Sequence, residues 1–207
     1  MLPALILGAA MLAATPAKRP NMPKGWTWPP SAAMQKIGKQ CLADLDAAEV
    51  EYRKAPALKK VSTPIVLTKL ELGGIALVPL RKRESYPMDC HLAVALLAVA
   101  PALREIGVKT IRFRTLHEYR NVRKNGKTTK MLSRHALGLA VDVFGFELDD
   151  GRILEVERDW AAEPVLAAAA ALIAASPLFR TPLTPVNDPA NHGDHVHLEA
   201  HLRIPGA

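Results

Sequence analysis

The run Leu139-Ala140-Val141-Asp142-Val143-Phe144 sets one carboxylate in the middle of an apolar stretch. Burying an unpaired carboxylate is costly, so any fold of this chain must bring a cation or a set of donors to Asp142. Two neighbouring patterns offer donors. Ser133-Arg134-His135-Ala136-Leu137-Gly138 leads directly into the run. His192-Gly193-Asp194-His195-Val196-His197 follows about fifty residues later. Together they hold four of the seven histidines. Neutral imidazole with carboxylate is the ligand set of catalytic zinc, which keeps one coordination position open for water.

The spacing says how these groups can meet. Residues 139–146 are expected to form a strand that carries Asp142. A turn at Gly138 can fold His135 back over it. His195 and His197 are two apart, so on a strand both side chains share one face. If that last strand, expected over 194–201, pairs beside 139–146, then His135, Asp142 and His197 converge as metal ligands. His195 then lies on the same face, free to act on water or substrate. Asp194 points away unless it sits in the turn before the strand. A His-x-His pair alone is common on exposed strands and carries little weight. His192, in a Pro/Asn/Gly loop, reads as a solvated loop histidine, and His91 and His201 as structural or surface groups. His117 is ambiguous.

At 207 residues the chain is long enough for one domain with a real core. Its apolar share of 49% argues against disorder. The formal charge is +7 and the pI about 9.6. That balance suits an anionic cell-wall polymer or membrane surface. No RNA-binding signature and no run of interleaved aromatic and basic residues is present, so nucleic acid is not the expected partner. The densest basic run, Arg81-Lys82-Arg83, is short, is followed by Glu84, and reads as a solvated turn.

Residues 1–17 carry no charge, and Leu2–Ala14 is apolar but too short for a stable membrane span. With Thr15-Pro16-Ala17 as a small-residue cleavage zone, the segment is expected to be a signal peptide for export to the periplasm or cell envelope; the rival is a buried N-terminal helix. Residues 18–31 are rich in proline and read as an extended linker, leaving 32–207 as the domain. Export would place Cys41 and Cys90 in an oxidising compartment, where they pair or remain buried thiols; the sequence leaves both open.

Along the domain, Ser31 is expected to cap a helix running to about Glu51. Residues 65–80 alternate around Gly73-Gly74 as a hairpin. Cys90–Ile106 is an apolar helix ended near Gly107. Residues 109–114 form a strand, and residues 121–130 a basic, polar stretch with a turn at Asn125-Gly126. Residues 139–148 and 153–156 make a hairpin about Asp149-Asp150-Gly151. Residues 160–175 are an Ala-rich helix, and 177–189 a proline-rich loop. The class is α+β: a small, mainly antiparallel sheet with helices packed on one side.

At these residues the chain resembles a known family. Ser133-x-His135-x-x-Gly138-x-Ala140-x-Asp142 matches the SxHxxGxAxD signature of zinc D-Ala-D-Ala carboxypeptidases and dipeptidases. His195-x-His197 matches the closing motif of that superfamily, which includes murein endopeptidases and hedgehog-type domains. From about Cys41 to Leu202 the chain more closely resembles the bacterial extensin-like C-terminal domain family. The matching features are Cys41-Leu42-Ala43, Cys90 before its helix, Arg120-Asn121-Val122, Phe144-Gly145-Phe146 before Asp150-Gly151, Asp159-Trp160 and the His192–His197 stretch. It departs from that family at Tyr119, where a Cys is usual, at Ala175 or Ser176, where a late Cys is missing, and at Arg134, where an acid is usual.

The resemblance implies a hedgehog/D-Ala-D-Ala-peptidase-like fold and Zn2+ held by His135, Asp142 and His197. It implies Asp194 or His195 as catalytic base and Arg120 as a substrate contact; Ser133 and His192 are further expected substrate-binding residues. The expected activity is a zinc peptidase acting on peptidoglycan stem peptides or crosslinks, working as a monomer. The alternatives are a non-catalytic wall-binding domain with a structural or vestigial zinc, and a surface adhesion module.

Overall fold

The computed structural model describes residues 20–124 and 126–206. The expected signal segment, 1–17, lies outside them. Helix α1 (Ala32–Ala47) starts where Ser31 caps it, its hydroxyl accepting from the Met34 amide at 3.3 Å. Its buried stripe is Met34, Gly38, Cys41 and Leu45, a helical spacing. It stops before the expected Glu51 because Glu49 takes the left-handed conformation, φ 54°. In chain order there follow β1 (Tyr52–Lys54), β2 (Pro64–Leu67), β3 (Glu71–Leu72), β4 (Ile75–Pro79), β5 (Pro87–Asp89) and α2 (Cys90–Glu105). Then come β6 (Val108–Thr115), β7 (Asn121–Lys124), β8 (Lys127–Leu132), a one-turn 3-10 helix (Arg134–Leu137), β9 (Ala140–Leu148) and β10 (Ile153–Glu155). Short helix α3 (Val156–Asp159), α4 (Pro164–Ala175), α5 (Pro189–His192) and β11 (Val196–Glu199) complete the described elements.

The class is α+β, as expected, but the main sheet is mixed. Six strands run β10-β9-β6-β4-β3, with β11 also on β9; β4 and β6 are parallel and the other pairs antiparallel. A second, antiparallel sheet is ordered β1-β2-β5, and β7-β8 form a third. Residues 65–80 are therefore not one hairpin. Only β3 and β4 turn about Gly73-Gly74, whereas Ile65, Val66 and Leu67 are all buried and belong to the second sheet. Residues 121–132 pair as a hairpin where only a turn was expected. The Ala-rich helix starts at Pro164 and not Trp160, because proline is suited to the first helical turn. The last strand covers four residues of the eight expected.

Helix α2 is buried on most of its surface because it packs against α1, α4, β3, β5 and β6. The buried Asp89 caps its start, accepting from the His91 amide, and also takes hydrogen bonds from Ser62 Oγ (2.7 Å) and Thr63 N (2.9 Å). Cys41 and Cys90 form a disulfide between α1 and α2, Cα atoms 6.1 Å apart. Closing a loop of 49 residues destabilises the unfolded chain by about 4 kcal/mol. Residues 20–31 have no helix or strand and rest on the domain: the Asn21 amide donates to the Leu132 carbonyl, and Arg180 donates to that of Pro20. Among the described residues no helix is long and apolar enough to cross a membrane.

Candidate metal centre

The centre is built on β9. Asp142 pairs in register with His197 of β11 on one side and with Thr115 of β6 on the other. The neighbours of Asp142 along β9 are apolar and buried, which fixes the strand's face and leaves the carboxylate one direction to point. His135 arrives by the one-turn helix. Ser133 caps that turn, accepting from the His135 amide at 3.3 Å. Gly138 ends it with φ 67° and donates to the His135 carbonyl at 3.0 Å. A Cβ at Gly138 would stand 2.6 Å from the Asp89 amide nitrogen, so no larger residue fits between this turn and the start of α2.

His135, Asp142 and His197 are buried, and one ligand atom from each lies within 4.8 Å of the other two. His135 Nε2 is 3.1 Å, and His197 Nδ1 2.8 Å, from Asp142 Oδ1. The other ring nitrogens are committed elsewhere. His135 Nδ1 lies 3.0 Å from the Leu116 carbonyl, which can only accept, so that nitrogen carries the hydrogen. In neutral His135 the lone pair of Nε2 thus faces the Asp142 carboxylate. His197 has a carboxylate at each nitrogen, Asp142 at Nδ1 and Glu199 at Nε2 (3.3 Å). A neutral imidazole donates to one of them only. Both junctions call for a cation, and two imidazoles with one carboxylate are a donor set suited to zinc. The bonds to Leu116 and Glu199 orient the rings as outer partners of metal-bound histidines do.

Electrostatics follow the same logic. Burial alone would raise the Asp142 carboxyl, but His135 and His197 outweigh it and hold it well below the ordinary value. Burial lowers His197, yet Asp142 and Glu199 push it up to about 9. Burial raises Glu199, but His197, Arg180 and Arg134 draw it down to about 2. Arg180 Nη1 meets Glu199 Oε2 at 2.7 Å, both side chains under 10% exposed.

The remaining histidines of the pattern surround this group. His195 precedes β11; its Nε2 lies 3.5 Å from Asp142 Oδ1 and its Nδ1 2.6 Å from Asp194 Oδ1. Asp194 sits in the bend before the strand, is half exposed, and is linked to the centre through His195. His192 is not a solvated loop residue. Its Nδ1 bonds Asp188 at 2.8 Å, and its ring lies 4.9 Å from that of His195 and 5.3 Å from that of His197. Burial first, then the charges of His197 and His195, lower His192 to about 4. A cavity of about 280 Å³ opens over the centre, lined among others by Arg120, Arg123, Ser133, His192 and His195. Arg120 bonds Glu118 through Nε at 3.1 Å, and its carbonyl accepts from the Ser133 amide at 3.0 Å. His91, His117 and His201 are not among the lining residues; His91 bonds Asp89.

A family model described as extensin-like protein C-terminus matches residues 39–206. The chain belongs to the extensin-like C-terminal family. No curated protein and no solved structure matches it. Within this extensin-like domain, several contributors lie outside the sequence motifs. Glu199 was legible in principle, since it lies two residues past His197 on the same strand face. Arg180 comes from a proline-rich loop, and the Leu116 carbonyl is backbone; neither leaves a local signal. Phe144 stacks on His195 with centroids 5.0 Å apart, and the Arg114 guanidinium covers Phe144 at 3.9 Å.

Proposed function

We propose that this extensin-like domain is a zinc-dependent peptidase that hydrolyses amide bonds in peptidoglycan stem peptides or crosslinks. The observation that carries the reading is His195, held by Asp194 on one nitrogen and aimed with the other at the carboxylate of the metal group. His135, Asp142 and His197 would hold the zinc, which would supply Lewis-acid chemistry and make water acidic enough to react near neutral pH. His195 Nε2 takes a proton from the attacking water, and Asp194 steadies the imidazolium so formed. That imidazolium returns the proton to the leaving amine. Arg120, in the cavity wall, is suited to a carboxylate of the peptide, which it can grip through two parallel bonds. His192 offers a neutral imidazole to the substrate near pH 7, and Ser133 its hydroxyl. The likeness of Ser133–Asp142 to the SxHxxGxAxD signature supports both the hydrolytic chemistry and a hedgehog-type ancestry. Export to the periplasm or envelope fits the Cys41–Cys90 disulfide.

The test is incubation of zinc-loaded protein with defined muropeptides, with products weighed by mass spectrometry. The expected result is gain of one water per amide cut, abolished by chelation and by His195→Ala. Intact muropeptides with folded, zinc-loaded protein would overturn the peptidase reading; co-sedimentation of that protein with peptidoglycan would then assign it as a wall-binding domain.

A further inference from the structure

Arg134 faces more than the metal centre. Its side chain is 4% exposed, and it lines both the cavity over the centre and a second one. The second cavity, about 520 Å³, lies where residues 20–24 meet residues 201–204. Its charged lining is Lys24, Arg134, Arg180 and Arg203, with His201 beside them, and no Asp or Glu is among its described lining residues. Arg180 is 7% exposed and is held rigidly: Nη1 bonds Glu199 and Nη2 donates to the Pro20 carbonyl at 3.1 Å. Arg203 is held by the Pro177 carbonyl at 2.8 Å.

Charge decides what such a cavity accepts. Removing a guanidinium from water is costly and is offset by opposite charge. Glu199 offsets Arg180, which it meets at 2.7 Å, and it also bonds His197. Two further cations, Lys24 and Arg203, stand at the same cavity with their side chains exposed. The guanidinium fork matches the oxygens of phosphate and carboxylate, and charge-assisted bonds of this kind are the strong ones. We propose that this second cavity is an oxyanion-binding site for a phosphate or carboxylate group, built by Arg134, Arg180, Arg203 and Lys24. Several cations lining one cavity reward a dianion more than a monoanion, so phosphate is the better fit.

The site uses none of His135, Asp142 and His197, and its test uses metal-free protein dialysed free of chelator. Inorganic phosphate and acetate are titrated calorimetrically at constant ionic strength. The expected result is one saturable phosphate site with acetate at least several-fold weaker. Acetate binding as tight as phosphate assigns the same site to a carboxylate-bearing ligand. The double variant Lys24→Gln/Arg203→Gln changes two exposed residues outside the metal centre and is expected to weaken binding about tenfold or more. No saturable binding of either anion, or binding unchanged in the folded double variant, would overturn the proposal.

Discussion

Two groups of side chains meet at this centre, and they are held in different ways. His135, Asp142 and His197 come from a glycine-closed turn and two paired strands, and each is at most 8% exposed. His192, Asp194 and His195 come from α5 and the bend that follows it, and the Asp194 side chain is 45% exposed. The first group is fixed by backbone pairing, burial and outer hydrogen bonds to Leu116 and Glu199. The second is fixed mainly by side chains: Asp188 on His192, Asp194 on His195, and the Phe144 ring against His195. A stiff ligand set beside a more accessible imidazole is the division expected when one group holds an ion and the other moves a proton.

The largest effect that separates the two groups is on turnover. His195→Ala is expected to lower the rate of muropeptide cleavage by roughly two to four orders of magnitude while zinc content is unchanged. If His195→Ala loses zinc, His195 belongs to the ligand set and the division fails. If Asp194→Ala abolishes cleavage and His195→Ala does not, the acid is the base. Next in size is Glu199→Gln, which removes the outer partner of His197. Zinc affinity, read by competition with a chromogenic chelator, is expected to fall about ten- to a hundredfold. A variant that binds zinc as tightly as the parent would show that Glu199 does not orient His197.

Phe144→Leu sharpens the other side of the comparison. Losing the ring beneath His195 is expected to slow turnover about three- to tenfold, with zinc retained. An unchanged rate would mean that Asp194 alone orients His195. The smallest effect is on stability against pH. In metal-free protein the folded state holds the His197 proton up to about 9, whereas the unfolded chain releases it near about 6.5. That contribution is complete below about 6.5 and is lost as pH rises through about 9, so Tm is expected to fall across this window. If zinc takes the place of that proton, the zinc-loaded protein shows a flatter profile. Equal slopes with and without zinc would separate His197 from the metal.

Much of this centre was legible in the sequence because two rules apply to it directly. A carboxylate in an apolar run demands a partner, and a period of two puts alternate residues on one face. These brought Asp142, His135 and His197 together and aimed His195 inward. For Asp194 the sequence leaves two positions open, facing away on the strand or lying in the turn before it; Asp194 lies in the bend before β11. The fold was legible where patterns are long and apolar, as in α2 and β9. It was not where strands are short or polar on both faces. Tyr52–Lys54 is three residues in a charged stretch, and the β7–β8 hairpin buries little, so neither shows an alternation. His192 read as solvated because its burial depends on Asp188 and on histidines placed by the fold. Arg180 and Glu199 lie nineteen positions apart, joined only when the loop before α5 folds onto β11.

The central claim is that His135, Asp142 and His197 hold one metal ion. The most direct measurement is zinc per chain, by native mass spectrometry, in the parent protein and in Asp142→Asn, a change that keeps the side chain's shape. One zinc is expected in the parent and none in folded Asp142→Asn. A parent that takes up no zinc, or an Asp142→Asn protein that keeps a full equivalent, would contradict it.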